Sequence, residues 1–514
     1  MRGLWAGLLL AILAVPASAE SPDSSAAPVV EVDLERWEGI PVGRIYCTGN
    51  KRTKERVVLQ EMLLESGEPF SAVLAEESLR NLRALEYLTE ARMVPHAGEE
   101  GSDVDLEIRV KDSFPWFGAI IPNLAGGKSE LLFVAGNGNF RGAGQTTILS
   151  VFLSNEVENS AAGYFREPRL FGSRWGGELS LGYQGEAGPR NRITLNRPLY
   201  SLSTRWGFSG SVFDEAEERL LYESGLEVSD FYAQRTGVTV GAARSFRDRD
   251  RRLEFDLTYS FINEDYRQVE GWTGVIPADK RRATLGLEPS LEFFRFVHDR
   301  FFNAMGPTED LRLGLRGSVR AGGALEALGS DRDYPVLGAG LRWFQGRPGT
   351  GYLLAEATVD TRIESSKFVN TSVLSTVAAY GRLPGDGLLA WRAQFTWLEA
   401  MEDPQQLLLD SPNGLRGYEA NSNEGQRRYL TNLEWRQPWW RPGSVVVGSA
   451  LFADAGVIGS PERPIHDQPV LVGAGAGIRL GFSGLLGAPV IRLDVAYGFT
   501  PETWETSFGF GQRF

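Results

Sequence analysis

The stretch Ile491-Arg492-Leu493-Asp494-Val495-Ala496-Tyr497-Gly498-Phe499 decides the fold class. Its odd-numbered positions are all apolar, and its even-numbered positions are charged or small. Successive side chains of a strand point to opposite faces, so one face here suits hydrocarbon and the other carries charge. The division recurs upstream. Val470, Val472, Ala474, Ala476, Ile478, Leu480 and Phe482 interleave with Gly473, Gly475, Gly477, Arg479 and Gly481. Leu389, Trp391, Ala393, Phe395 and Trp397 interleave with Arg392, Gln394 and Thr396. From Phe114 onward helical periodicity is nearly absent, and segments of about ten residues alternate in this way between polar turns. Aromatic clusters such as Trp435, Trp439 and Trp440 fall at strand ends. In hydrocarbon every backbone N–H and C=O must find a partner within the protein, so such a sheet has to close with its polar face inward. Residues 112–514 are therefore expected to form an all-β transmembrane β-barrel of antiparallel strands. The expected count is even, with sixteen strands, and surplus alternating segments are assigned to loop hairpins. Against a soluble β-sandwich stand the length of the tract, the aromatic strand ends and the secretion signal at the N-terminus.

The composition agrees with this reading. Only 42% of the 514 residues are hydrophobic, while glycine reaches 60 and aromatics 11%. A mean hydropathy of −0.21 excludes a bundle of membrane-spanning helices and leaves a barrel open. Lys+Arg 53 against Asp+Glu 66, a net charge of −13, argues against a nucleic-acid partner, which needs a clustered basic surface.

The N-terminus sets the compartment. Arg2 precedes the apolar run Leu8 to Val15, and Ala17-Ser18-Ala19 supplies small residues before Glu20, the pattern of a secretory signal peptide over 1–19. Residues 20–38, rich in Ser, Ala, Pro and acids, are expected to form a flexible linker. The single Cys47 excludes an internal disulfide and is expected to be buried and inert. His96, His298 and His466 lie far apart and read as solvated loop residues.

A small mixed domain occupies 39–111. Val42 to Thr48 alternates as a strand, Gly49-Asn50 marks a turn, and Thr53 is placed to cap a helix from Lys54 to Leu64. Gly67 closes that helix. Ser71 opens a second, with Leu74, Leu79, Leu82 and Leu85 on one face. Two strands follow, at 88–94 and 104–110, giving the order β-α-α-β-β. This order and the string Gly43-Arg44-Ile45-Tyr46-Cys47-Thr48-Gly49-Asn50-Lys51-Arg52-Thr53 resemble a POTRA domain, with Gly49, Asn50 and Thr53 as its turn. The resemblance implies a sheet edge near residues 88–94 that accepts extended peptides by strand addition.

The barrel carries a second resemblance. A long segment between two strands contains Asn413-Gly414-Leu415-Arg416-Gly417-Tyr418. Leu415-Arg416-Gly417-Tyr418 resembles the Val/Leu-Arg-Gly-Tyr/Phe motif of the outer-membrane superfamily that includes the assembly factor BamA, its relative TamA and two-partner secretion transporters. Leu433-Glu434-Trp435-Arg436-Gln437-Pro438 and the strand motif Phe452-Ala453-Asp454-Ala455-Gly456 resemble the strands that follow it. Asn139 to Gln145 and Phe165 to Pro168 resemble early ones. The resemblance implies that Arg416 folds into the lumen and pairs with Asp454 and Glu434. Phe508, Phe510 and the final Phe514, on one face with Trp504 and Thr506, resemble a C-terminal sorting signal of outer-membrane barrels.

The implied protein sits in the bacterial outer membrane with its POTRA domain in the periplasm. Its implied function is assembly or insertion of outer-membrane proteins, or polypeptide translocation. Its implied partners are the outer-membrane lipid bilayer, unfolded outer-membrane or exported polypeptides, and accessory assembly proteins. Room for a single POTRA domain departs from the several found in housekeeping assembly factors. The alternative is a passive pore or structural surface barrel. No catalytic residues, cofactor or metal ligands are expected. Gly207-Phe208-Ser209-Gly210-Ser211 lacks the spacing of a nucleophile elbow, and Pro122 stands where a phosphate loop ending in Lys128-Ser129 requires glycine.

Overall fold

The computed structural model describes residues 33–98, 101–125, 128–155, 157–248, 250–272, 276–306, 308–402, 405–482, 490–512 and 514. The expected signal peptide and most of the expected linker lie outside these residues. So do Gly126 and Gly127 of the phosphate-loop-like segment.

The N-terminal domain is built from β1 (Val42–Thr48), α1 (Glu55–Leu59), α2 (Ala72–Arg83), β2 (Leu88–Ala97) and β3 (Val104–Asp112). β3 is central, parallel to β1 and antiparallel to β2. Val104, Leu106, Ile108 and Val110 point inward from β3 and meet Val57, Val58, Leu79 and Leu82 of the helices in one buried core. Order begins earlier than the linker reading allowed. Leu34 is 7% exposed and belongs to this core, and Ala72 N–H donates to the Glu38 carboxylate at 2.7 Å. The first helix is shorter than the apolar spacing suggested, and Thr53 does not cap it. Lys54 occupies the cap position without a side-chain bond, because the Thr53 hydroxyl is committed to Asp112.

The remaining strands are β4 (Trp116–Ala125), β5 (Lys128–Phe140), β6 (Gln145–Ser154), β7 (Ser160–Glu167), β8 (Gly176–Gln184) and β9 (Gly188–Arg197). Longer ones follow: β10 (Trp206–Glu223), β11 (Leu226–Asp248), β12 (Arg251–Gln268), β13 (Lys280–Arg300) and β14 (Thr308–Ala324). Then come β15 (Tyr334–Arg347), β16 (Gly351–Glu364), β17 (Lys367–Leu383) and β18 (Gly387–Glu399). The short β19 (Leu407–Leu408) and β20 (Glu424–Gly425) pair with each other inside the long segment. The chain ends with β21 (Arg427–Trp440), β22 (Val445–Gly459), β23 (Leu471–Phe482), β24 (Val490–Phe499) and β25 (Glu502–Phe510).

Apart from β19 and β20, these strands close into one antiparallel barrel, with β25 beside β4. The count among the described residues is twenty, which corrects the expected sixteen. A loop hairpin is paired only to itself, whereas the surplus segments are paired on both sides. β10, for example, is in register with both β9 and β11. The wall is uneven. β4 to β9 hold 8–13 residues each, and β10 to β14 hold 17–23. Since about ten residues cross the hydrocarbon, the longer strands project beyond it. Counting hairpins from the N-terminal domain places the β10–β11 tip at Ser224 and Gly225 on the distal end. The exposed apolar side chains follow strand parity, with Leu389, Trp391, Trp435, Leu451, Ile478 and Val495 all on the outer face.

Candidate functional site

The segment between β18 and β21 folds back into the lumen and docks on the inner wall of β21 to β24. A turn around Asp410 shapes it first. The Asp410 carboxylate is fully buried and accepts Asn413 N–H at 2.9 Å and Asn421 N–H at 2.7 Å, while its carbonyl accepts Leu415 N–H at 2.9 Å. Leu415 and Tyr418 then pack with Leu409, Leu430, Ile458 and Leu471. The Tyr418 hydroxyl donates to the Val472 carbonyl at 2.9 Å and accepts Val472 N–H at 3.0 Å, satisfying the backbone where the β23–β24 ladder has ended at Gly473.

Arg416 is fully buried. Its Nε and Nη2 fork onto Asp454 at 2.7 and 2.9 Å, and its Nη1 reaches Glu434 at 3.0 Å and Asp494 at 3.4 Å. The guanidinium lies 3.4 Å from the centroid of the Phe452 ring. Asn432 ties the site together, donating from Nδ2 to Asp454 at 2.8 Å and to the Gly414 carbonyl at 2.9 Å. Thus Leu415, Arg416, Gly417 and Tyr418 meet Glu434, Asp454 and Phe452, while Gly456 lies against Leu409.

Four members escaped the sequence reading: Asn432, Arg436, Arg479 and Asp494. Asp494 is a third carboxylate, and Arg479 bridges it at 2.5 Å to Glu434 at 3.1 Å. Arg436 adds a further bond to Glu434 at 3.0 Å. Strand parity had put Arg479 and Asp494 on the polar face, but only the sheet register brings β21, β23 and β24 residues to the same point. The inward glycines have the same origin. A Cβ on Gly473 would lie 2.1 Å from the Arg416 carbonyl oxygen, and one on Gly498 would lie 2.3 Å from that of Gly417. The wall is bare there because the loop backbone rests on it.

The C-terminal aromatics do not share one setting. Phe508 and Phe510 are neighbours on β25 with ring centroids 5.7 Å apart. The strand ends at Phe510, Gly511 turns with φ +74°, and Phe514 lies at Arg436, whose Nη2 donates to the Phe514 carbonyl oxygen at 2.7 Å. Arg392 and Arg436 stack on the Phe514 ring at 4.8 and 5.1 Å. Phe514 therefore does not continue the β25 face, because the backbone turn carries it toward arginines of the inner wall.

At the proximal end the N-terminal domain is seated on the barrel through its helical side. Glu61 pairs with Arg169 at 2.5 Å, and Arg83 pairs with Asp310 at 2.7 Å. The Glu77 carboxylate accepts Leu202 N–H, and Arg80 stacks on Phe296 at 4.4 Å. His298, expected in a loop, sits on β13 and pairs with Asp310 at 2.8 Å. His96 is likewise on a strand, β2, and contacts Glu107 at 3.2 Å, whereas His466 is exposed in a short helical turn. In the turn, Gly49 has φ +84° and a Cβ there would lie 2.2 Å from the Val110 carbonyl oxygen. Asn50 Nδ2 donates to the Thr53 carbonyl at 3.0 Å, and the Thr53 hydroxyl accepts Asn139 Nδ2 at 2.8 Å, so the turn also touches the barrel. The outer sheet face of the domain points away from the barrel. There Arg109 and Thr48 hold the Glu107 carboxyl down to about 2, well below the carboxylate range. Cys47 is half-buried, and burial with help from Glu55 and Asp112 pushes its thiol up to about 12, which leaves it unreactive at neutral pH.

Residues 40–113 match the POTRA family model, described as a surface antigen variable number repeat, and form a POTRA domain. A "Putative outer membrane protein assembly factor" of Treponema pallidum is 27% identical over 244 residues, 42% of this chain and 28% of the relative. The "Outer membrane protein assembly factor BamA" of Nitratidesulfovibrio vulgaris is 27% identical over 154 residues, 29% of this chain and 18% of the relative. The similarity thus spans less than a third of either relative's length. Among solved structures, BamA of Haemophilus ducreyi lacking POTRA domains 1–3 aligns with a TM-score of 0.42 at 14% identity, covering 92% of this chain and 84% of that one. CdiB of Acinetobacter baumannii aligns with a TM-score of 0.47 at 11% identity, covering 92% of this chain and 74% of that one.

Proposed function

We propose that this protein assembles or translocates polypeptides at the bacterial outer membrane, with the POTRA domain in the periplasm. The observation that carries the reading is the sequence similarity to outer-membrane assembly factors, in a chain that joins a POTRA domain to a transmembrane barrel. The POTRA domain captures an extended client by strand addition. In support, β2 is an edge strand that pairs only with β3 among the described residues, and Glu90 and Arg92 on it are exposed. Backbone hydrogen bonds along such an edge tolerate many client sequences. The Arg416 site acts as a structural lock that holds the inward loop against the wall beside the β25–β4 closure. Its chemistry is ionic rather than catalytic, and the loop braces the strands through which a client would be inserted or exported.

The test is photo-crosslinking from positions 90 and 92 in cells, with the outer-membrane and secreted proteomes compared after depletion. Client polypeptides crosslinked at the edge and lost on depletion are expected. Ion conductance by the reconstituted barrel, with no crosslinked client and no proteome change, would sink the proposal and favour a passive pore.

A further inference from the structure

The outer wall of β15 to β18 holds a furrow of about 570 Å³, within the size range of ligand sites. Its position follows from the register. Arg347, Gly351, Gly381 and Leu389 form one row across the four strands, and Gln345, Leu353, Ala379 and Trp391 form the next. Both rows face the hydrocarbon, as the exposure of Leu353, Leu389 and Trp391 shows. Gly351, Ala379 and Gly381 make a low floor, and those three larger side chains stand around it. A Cβ built on Gly381 would meet nothing within 4 Å, so the space above it is open.

The proximal end of the furrow is polar. The β15–β16 turn brings Arg347 and Thr350 to its mouth, both exposed. Nearby arginines are neutralised, Arg342 by Glu356 at 2.7 Å and Arg382 by Asp299 at 2.9 Å. Among the described residues no carboxylate is recorded against Arg347. An unneutralised guanidinium where a lipid-facing furrow meets the headgroup level is complementary to a phosphate, which it can grip with two N–H groups. A second outer furrow, about 410 Å³ around Leu149 and Gly163, has no cation in its lining and so lacks that complement.

We propose that the β15–β18 furrow binds one glycerophospholipid of the proximal leaflet, its acyl chain lying over Gly381 and Ala379 and its phosphate held by Arg347. The chain replaces contacts that side chains make elsewhere on the wall, and the headgroup supplies the counter-charge that the protein does not.

Native mass spectrometry of the purified full-length protein in detergent, titrated with phosphatidylglycerol, tests this. Wild type is expected to retain one phosphatidylglycerol that Gly381→Leu does not, with native heat-modifiable gel mobility in both. Arg347→Gln is expected to weaken retention about fivefold, the worth of one arginine at an anionic lipid surface. Should Gly381→Leu misfold, Ala379→Leu fills the same floor from the adjacent row. Equal retention by wild type and a correctly folded filled variant overturns the proposal, as does retention indifferent to Arg347→Gln. A dimer mass lost on filling the furrow would also overturn it, assigning the surface to a second copy of the chain.

Discussion

Replacing Arg416 by Ala should release the inward loop, and the cost is concentrated on one carboxylate. Glu434 would keep Arg436 at 3.0 Å and Arg479 at 3.1 Å, and Asp494 would keep Arg479 at 2.5 Å. Asp454 would lose both guanidinium bonds and retain, in the docked state, only the neutral donors Asn432 Nδ2 at 2.8 Å and the backbone N–H of residue 416 at 3.2 Å. An uncompensated charge at a fully buried site costs about 3–5 kcal/mol. That cost falls on the equilibrium between docked and released loop, so opening should rise by roughly two to three and a half orders of magnitude. Amide hydrogen exchange reads it directly. Leu415, Arg416 and Gly417 N–H groups are bonded to the Asp410 carbonyl, Asp454 and Ser411 Oγ, and their protection should fall together. Arg416→Lys keeps the charge but loses the fork and the face-on contact with Phe452, so about 1–3 kcal/mol should be lost. Adding Asp454→Asn to Arg416→Ala removes the stranded charge and should recover much of the protection. Unchanged protection in Arg416→Ala, or a double variant whose loss equals the sum of the singles, would refute the reasoning.

Other outcomes follow from single contacts. Gly473→Ala should expel the loop as Arg416→Ala does, since its Cβ would lie 2.1 Å from the Arg416 carbonyl oxygen, and faster proteolysis between residues 405 and 426 is the readout. Tyr418→Phe should cost about 1–3 kcal/mol by leaving the Val472 backbone unpaired, detected as faster exchange at the Val472 amide. Arg169→Gln leaves Glu61 with only Arg174 at 3.7 Å. Because the Glu61–Arg169 pair is mostly but not fully buried, about 1–3 kcal/mol of docking should be lost. Electron–electron distance measurements between spin labels at positions 65 and 173, in a Cys47→Ser background, should show a second, longer separation. Glu107 should titrate near pH 2 by carboxyl NMR. Its folded value lies below the ordinary 4.5, so its contribution to stability is complete above that pH and is lost as pH falls toward about 2. Thr48→Val should raise the titration midpoint.

The sequence alone determined which side chains face lipid and which face the lumen, because a strand's period of two is a local property that neighbours cannot alter. Ile491 to Phe499 is legible without any partner strand, and so is the charged character of Arg479, Glu434 and Asp454. The POTRA order was legible for the same reason, through helical spacing and a turn that only glycine fits. The tertiary structure decided what depends on pairing across the chain. It set the strand count, since a hairpin becomes wall only when both its edges are paired. It set the membership of the Arg416 site, since Asp494 and Arg479 reach Glu434 through the register of β21 to β24 rather than through any motif. It also diverted Thr53 from a helix cap to Asp112 and turned Phe514 toward Arg436. Hydrogen bonds and ion pairs between residues far apart in sequence won in both cases, and these carry no local periodicity from which they could be read.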